Sequence, residues 1–308
     1  MDGTDVKIAQ ACSLPADLSA AAGLRRNGST ELAEVSPKSF WRRRVPARLL
    51  MIGKHKASLC LFIVFFAAAT MSRVWAQLDP CIEAYGGKSV WDDQGTVSYD
   101  VDFNFGDDKL QDHQLFDLKS RDGLIKGEKY KLGSQGEKVW IKPDAKALGK
   151  LPPRFYLRTP FYFFAMPFVF ADAGAIATPA DPQTFDGRSY DTVKVTYKPG
   201  TGDSPKDYYI LYIDSDTKRL KLVRYVVTYF AEREGKPMEN LEEHAIVFDA
   251  VQRAGDLWVP KETSFYKWED GKLGTEKLGS ITYSNVKFSS ERPDPNQFKQ
   301  PSDAVPVD

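Results

Sequence analysis

The stretch TVSYDVDFNF, residues 96–105, alternates without a break. Val97, Tyr99, Val101, Phe103 and Phe105 fall on one side of an extended chain, and Ser98, Asp100, Asp102 and Asn104 on the other. Successive side chains of a strand point to opposite faces, so this is an antiparallel strand with one face on a core and one in water. The same period spreads outward. GDDK follows as a turn, and QLFDLKS, GLIKGEKYKL and KVWIKP read as further short strands. Later, YDTVKVTYK, DYYILYID, RLKLVRYVVTYF, EEHAIVFDAVQ, LWVPKETSFYKWE and KLGSITYSNVKF continue the series. The polar turn DSDTK, Asp214 to Lys218, joins two of them. The spacing predicts a meander of about nine to eleven antiparallel strands in one mainly β domain over residues 77–290. Ahead of it, DPCIEAYGGKSVW predicts a short helix capped by Asp79, with Ile82, Tyr85 and Trp91 facing a core. Residues 291–308 are Pro-rich and are expected to be loosely ordered.

The two ends of the chain differ in charge. Net charge is zero over 308 residues, but residues 1–76 hold 11 of the 42 basic and 5 of the 42 acidic side chains. The remainder has 31 basic and 37 acidic residues, a net charge of −6. An acidic domain without basic runs is unsuited to nucleic acid, which demands phosphate neutralisation. Residues 51–76 have the layout of a secretory signal peptide: Lys54 and Lys56, an apolar run from Leu59 to Ala69, and Val74-Trp75-Ala76 before Gln77. An uncleaved anchor near residues 57–72 is the alternative. Residues 1–50 read as an over-extended start before Met51, or as a cytoplasmic tail kept inside by Arg42, Arg43, Arg44 and Arg48. Either way the β domain is expected outside the cytoplasm, in the periplasm or cell envelope. Cys81 is the one cysteine after residue 76 and is expected to be a small buried or half-buried side chain, with intermolecular pairing as the alternative.

Chemistry-bearing motifs are sparse. The sequence has no G-x-S-x-G, no H-E-x-x-H and no Gly-rich phosphate loop. His113 is expected on a polar face. Glu242 and His244 share one side of a strand and read as a solvated cluster. No catalytic residue, metal or cofactor is expected, and the domain reads as non-enzymatic.

One segment breaks the polar, alternating pattern. LRTPFYFFAMPFVFADAGA, residues 157–175, is apolar nearly all round. Thr159 and Pro160 suit the start of a helix, Pro167 should kink or split it, and Gly174 suits its stop. The apolar part is shorter than the roughly 20 residues that cross a bilayer. A helix apolar on every side must be buried. It either plugs a curved sheet or forms a lid over a cavity. In the second case Phe161, Tyr162, Phe163, Phe164, Met166, Phe168 and Phe170 would line that cavity together with Tyr99, Val101 and Phe103 of the opening strand.

The order of these pieces resembles a family. A signal-like segment leads to YGGKSVW and TVSYDVDF, VWIKP precedes the aromatic segment, and DYYILYIDSDTKRLKLVRY follows it. This is similar to the extended family of bacterial outer-membrane lipoprotein-sorting carriers (LolA/LolB-like), over roughly residues 78–300. The resemblance implies a strongly curved, half-barrel antiparallel sheet with short helices in its concave face. It also implies a monomer whose partner is an acyl chain, a lipid or a lipoprotein held under a helical lid. The carriers' functional arginine has no matched position here, and Arg121, Arg154, Arg158, Arg188 and Arg224 are left unassigned. An envelope interaction or sensor module, with a filled core and a protein partner, is the alternative function.

Overall fold

The computed structural model of the chain describes residues 78–238 and 241–307. The signal-like segment 51–76 and the stretch 1–50 lie outside the described residues. Thirteen strands form one antiparallel sheet that does not close into a barrel, in the order β13-β5-β4-β3-β2-β1-β12-β11-β10-β9-β8-β7-β6. Two meanders meet at its centre. β1 (Thr96–Phe105), β2 (Asp108–Asp117), β3 (Gly123–Gly127), β4 (Lys131–Gln135) and β5 (Lys138–Lys142) make one wing. β6 (Ala175–Phe185), β7 (Arg188–Tyr197), β8 (Tyr208–Ile213), β9 (Leu220–Val226), β10 (Glu243–Ala254), β11 (Leu257–Glu269) and β12 (Lys272–Ser289) make the other. β1 pairs β12, with Val101 opposite Tyr283 and Phe103 opposite Ile281, and this ladder joins the wings. The alternation of residues 96–105 is realised: Val97, Tyr99, Val101, Phe103 and Phe105 are buried and the residues between them half-buried.

Helix α1 (78–84) and helix α2 (Lys88–Asp92) precede the sheet. Between them Gly86 and Gly87 have φ of 115° and 95°, which only glycine adopts without strain. Ile82, Tyr85 and Trp91 are buried, as their spacing suggests, and so is Cys81. Helix α3 (Pro153–Phe164) and a 3-10 turn (Phe168–Ala171) join the wings, and helix α4 (Tyr229–Glu234) follows β9.

Topology explains where α3 must lie. The chain leaves the sheet after β5 and re-enters at β6, eleven strands away in the order. At a strand spacing of about 4.8 Å, that is roughly 50 Å across a flat sheet. The crossing segment therefore passes over one face, and the sheet curls around it. The contacts bear this out: Phe161 touches Phe116 of β2 while its neighbour Tyr162 touches Tyr209 of β8. Those strands are six steps apart, about 29 Å if flat, whereas a helix is only about 10–12 Å wide.

Both sheet edges go beyond the sequence reading. β6 carries Pro179 and Pro182 and a bulge between Ala180 and Gln183. Proline cannot donate to a ladder, so such a strand is confined to an edge and resists further pairing. The tail expected to be loosely ordered caps the other edge. Phe298 is buried beside Trp140, whose indole donates to the Phe298 carbonyl at 2.8 Å, and β13 (Val305–Val307) pairs β5.

Candidate functional site

The site is the space between α3 and the concave face. All twelve residues of α3 are buried. Its start lies earlier than Thr159: Pro153 takes the first turn, where a missing N–H costs nothing, and Pro160 falls inside the helix. There Pro160 forfeits a bond to the Tyr156 carbonyl, at a cost of about 3 kcal/mol. Burial on every side outweighs that cost, and the Tyr283 hydroxyl, from β12, donates to the Pro160 carbonyl at 2.8 Å. Around Pro167 the helix does divide, ending at Phe164 and resuming as the 3-10 turn.

The expected lining residues are brought together on facing surfaces. Phe164 stacks on Tyr99 with centroids 4.3 Å apart and leans on Tyr283 at 5.3 Å. Phe163 sits between Phe265 at 5.0 Å and Tyr225 at 6.0 Å. Tyr162 packs on Tyr209, and its hydroxyl meets that of Tyr197. Phe161 packs on Phe116 at 4.4 Å, Phe168 on Trp91 at 4.5 Å, and Phe170 on Tyr209 at 5.5 Å. Phe103 meets Tyr156 edge-on at 5.3 Å, while Met166 and Val101 are buried in the same cluster. Exposure of these ten lining residues is 3% or less, so in this form protein side chains fill the space around them. Sequence reasoning missed the partners Phe116, Tyr156, Tyr209, Tyr225, Phe265 and Tyr283. Their strands were legible, but which strands curl onto one helix was not.

Polar groups interrupt this interior at defined points. Asp112 of β2 is buried and accepts from the Tyr156 hydroxyl of α3 at 2.6 Å, from Gln114 Nε2 at 2.9 Å and from the Tyr130 hydroxyl. Burial raises its pKa despite these donors. Beside it opens a cleft of about 700 Å³ lined by Leu110, Tyr130 and Leu148 and rimmed by Asp102, Asp107, Asp108, Glu128, Lys109 and Lys129. His244 corrects the expectation of a solvated face. It is 3% exposed and stands 5.8 Å from Tyr225, while Glu242 is about half exposed. Burial pulls its pKa down, which favours the neutral imidazole. His113 stays on the outer face, 2.7 Å from Asp100.

Asp207 anchors α4, whose Tyr229 and Phe230 pack on Phe155 of α3. Its carboxylate accepts from the backbone N–H and hydroxyl of Thr228 at 2.6 and 2.8 Å. Burial pushes its pKa up from 3.8 to about 7, with Glu232 adding to the rise. The folded state thus holds this proton more tightly than the unfolded chain. The associated stability is fully present below about pH 4 and is lost as pH rises through 7. Asp207→Asn keeps an acceptor for Thr228. Urea unfolding from pH 4 to 8 is expected to show stability falling more steeply in the parent than in the variant, and parallel profiles would refute the assignment.

At the rim, polar bonds fasten α3 to both wings. Arg154 makes a two-pronged pair with Asp203 of the β7–β8 connection, at 2.8 and 2.7 Å. It also reaches Glu137 of the β4–β5 turn, at 2.7 Å to the carboxylate and 2.9 Å to the carbonyl. One turn on, Arg158 donates to the carbonyls of Arg121 at 2.9 Å and Gly136 at 3.3 Å. Arg121 pairs with Asp172 beyond the 3-10 turn at 2.6 Å. None of these roles could be read from sequence, because the partners are 17 to 51 residues apart.

An open, curled antiparallel sheet with an apolar helix laid across it defines the fold class. A profile described as a family of unknown function (DUF6503) matches residues 152–279, which is less than half of the chain. No curated protein matches. Among solved structures, the chain is similar to a LolA superfamily protein from Nitrosomonas europaea, at 9% identity and TM-score 0.48, over 74% of this chain and 97% of that one. It is similar to a DUF1329 family protein from Desulfovibrio piger, at 12% identity and TM-score 0.45, over 70% and 92%. It is also similar to a protein described as an outer membrane lipoprotein-sorting domain from Vibrio parahaemolyticus, at 12% identity and TM-score 0.42, over 73% and 97%.

Proposed function

We propose that this is an extracytoplasmic, non-enzymatic binding protein for acyl chains, whether of a lipid or of a lipoprotein, and that α3 occupies the place of the ligand in the closed form. One observation carries the reading: a helix buried on every side and rich in aromatic residues fills the concave face, while its fastenings to the two wings are polar and lie at the rim. Isolated helices of this length are marginal in water, and this one contains two prolines and many aromatics. Its stability comes from burial, which an acyl chain can supply to the same sheet face. Burial of one such side chain is worth about 1.5–3 kcal/mol, and several methylenes at about 0.8 kcal/mol each match it. Phe161, Tyr162, Phe163, Phe164, Met166, Phe168 and Phe170 would move with the lid, and Tyr99, Val101 and Phe103 would contact the chain. Native mass spectrometry of protein purified without detergent is expected to show adducts of acyl-lipid mass. Bare protein that also fails to take up a fluorescent fatty acid would overturn the reading.

A second reading has its own support in the filled interior. An envelope interaction or sensor module needs no cavity, and the packed aromatics suit it. That reading expects a stable partner in a crosslinking pull-down from cell envelopes and no lipid uptake.

A further inference from the structure

Arg158 is the least compensated charge at the rim. It is 8% exposed, and its guanidinium meets only the two carbonyls of Arg121 and Gly136. Among the described residues no carboxylate pairs with it. The neighbouring carboxylates are committed elsewhere: Asp203 and Glu137 to Arg154, and Asp172 to Arg121. Asp122 accepts from the Ser120 hydroxyl at 2.9 Å and the Gly136 N–H at 2.6 Å. Arg121 adds a second opening, because its Nη1 is buried without a partner. Asp203, Glu137 and Asp122 act on Arg158 only at a distance, and a buried cation with no carboxylate bonded to it is costly to the fold, as is a buried donor without an acceptor. Burial accordingly pulls the Arg158 pKa down. Beside Gly136 the space is open: a side-chain carbon built there would meet nothing within 4 Å.

We infer that Arg121 and Arg158 form a seat for an anionic oxygen group, a phosphate or carboxylate, carried as the head of the acyl ligand. Guanidinium groups present planar, two-pronged donors that suit both anions. The seat adjoins the apolar interior, since the Arg121 guanidinium lies 5.5 Å from the Phe161 ring centre. A head held by Arg121, on the β2–β3 turn, lies where the chain enters the concave face, and Arg158 reaches it from α3 as the helix lifts. The inference rests on the acyl-binding reading and adds the class of ligand to it: an anionic amphiphile, with its charge at the rim between the β2–β3 and β4–β5 turns.

The test compares two ligands that share one chain, monooleoyl glycerol and its 3-phosphate, by titration against the full chain. The phosphate form is expected to bind at least about tenfold more tightly. Arg158→Gln also loosens α3, which changes both affinities in common, so the readout is their ratio: it is expected to fall from at least about tenfold to about one. Inorganic phosphate alone separates the sources. If millimolar phosphate displaces only the phosphorylated ligand, the seat takes the free anion as well, and absence of displacement assigns it to the lipid head. Equal affinity of the parent protein for both ligands would overturn the seat while leaving acyl binding intact. Binding of neither would overturn both. The parent comparison needs no variant, so a misfolded Arg158→Gln does not blunt it.

Discussion

Replacing Phe164 with alanine is expected to cost about 3–5 kcal/mol of folding stability. Phe164 is wholly buried and touches both wings of the central ladder, Tyr99 on β1 and Tyr283 and Phe288 on β12. Truncation removes the transfer energy of the ring and leaves a void that neighbouring rings cannot easily fill, because each is pinned by its strand. For a domain of about 230 residues, each kcal/mol shifts Tm by about 2–4 °C, so a fall of roughly 6–20 °C should follow. Ile176→Ala is the control: Ile176 sits on the exposed edge strand, and its truncation should stay within about 0.5 kcal/mol. Urea unfolding of both variants decides the point. A Phe164→Ala loss below about 1 kcal/mol would mean that the helix is not held by its packing.

Arg154→Ala is the second large effect, at about 2–3 kcal/mol with most of the change local to α3. The side chain is 10% exposed and Asp203 is 18% exposed, which favours a real contribution, whereas Glu137 at 68% is largely screened. Its pair with Asp203 raises the Arg154 pKa, in keeping with an attractive environment. Removal leaves the largely covered Asp203 without its cation and detaches α3 from the β7–β8 connection. Arg154→Lys should recover less than half of the loss, since an ammonium cannot reproduce the two-pronged geometry. Chemical denaturation gives the total, and hydrogen exchange across residues 154–164 should locate it. Exchange that rises evenly across the sheet instead would contradict a fastening role.

Much of the sheet was legible because its physics is local. Residues 96–105 alternate since one face is wet, and the turn at Asp214 is written in its own carboxylate, which accepts from the N–H groups of Asp216 and Thr217. The edge strand β6 was not legible: Pro179 and Pro182 read as loop, and only its place at the edge permits them. Helix α3 was placed late for a related reason. Proline at a first turn is the cheaper local solution, and burial from both wings overrode it at Pro160. His244 shows the same limit, because alternation tells which side a residue takes but not whether a second wing covers that side. The aromatic stretch announced that something must cover it. The arginines that fasten the cover depend on contacts across 17 to 51 residues and carry no local pattern.

In the proposed function an acyl chain replaces α3 on the concave face. Hydrogen exchange of residues 154–164, with and without saturating oleate, tests it most directly. Oleate is expected to speed exchange in this helix while β1, β2 and β12 stay as protected as before. A helix that exchanges at the rate of global unfolding, unchanged by oleate, would contradict it.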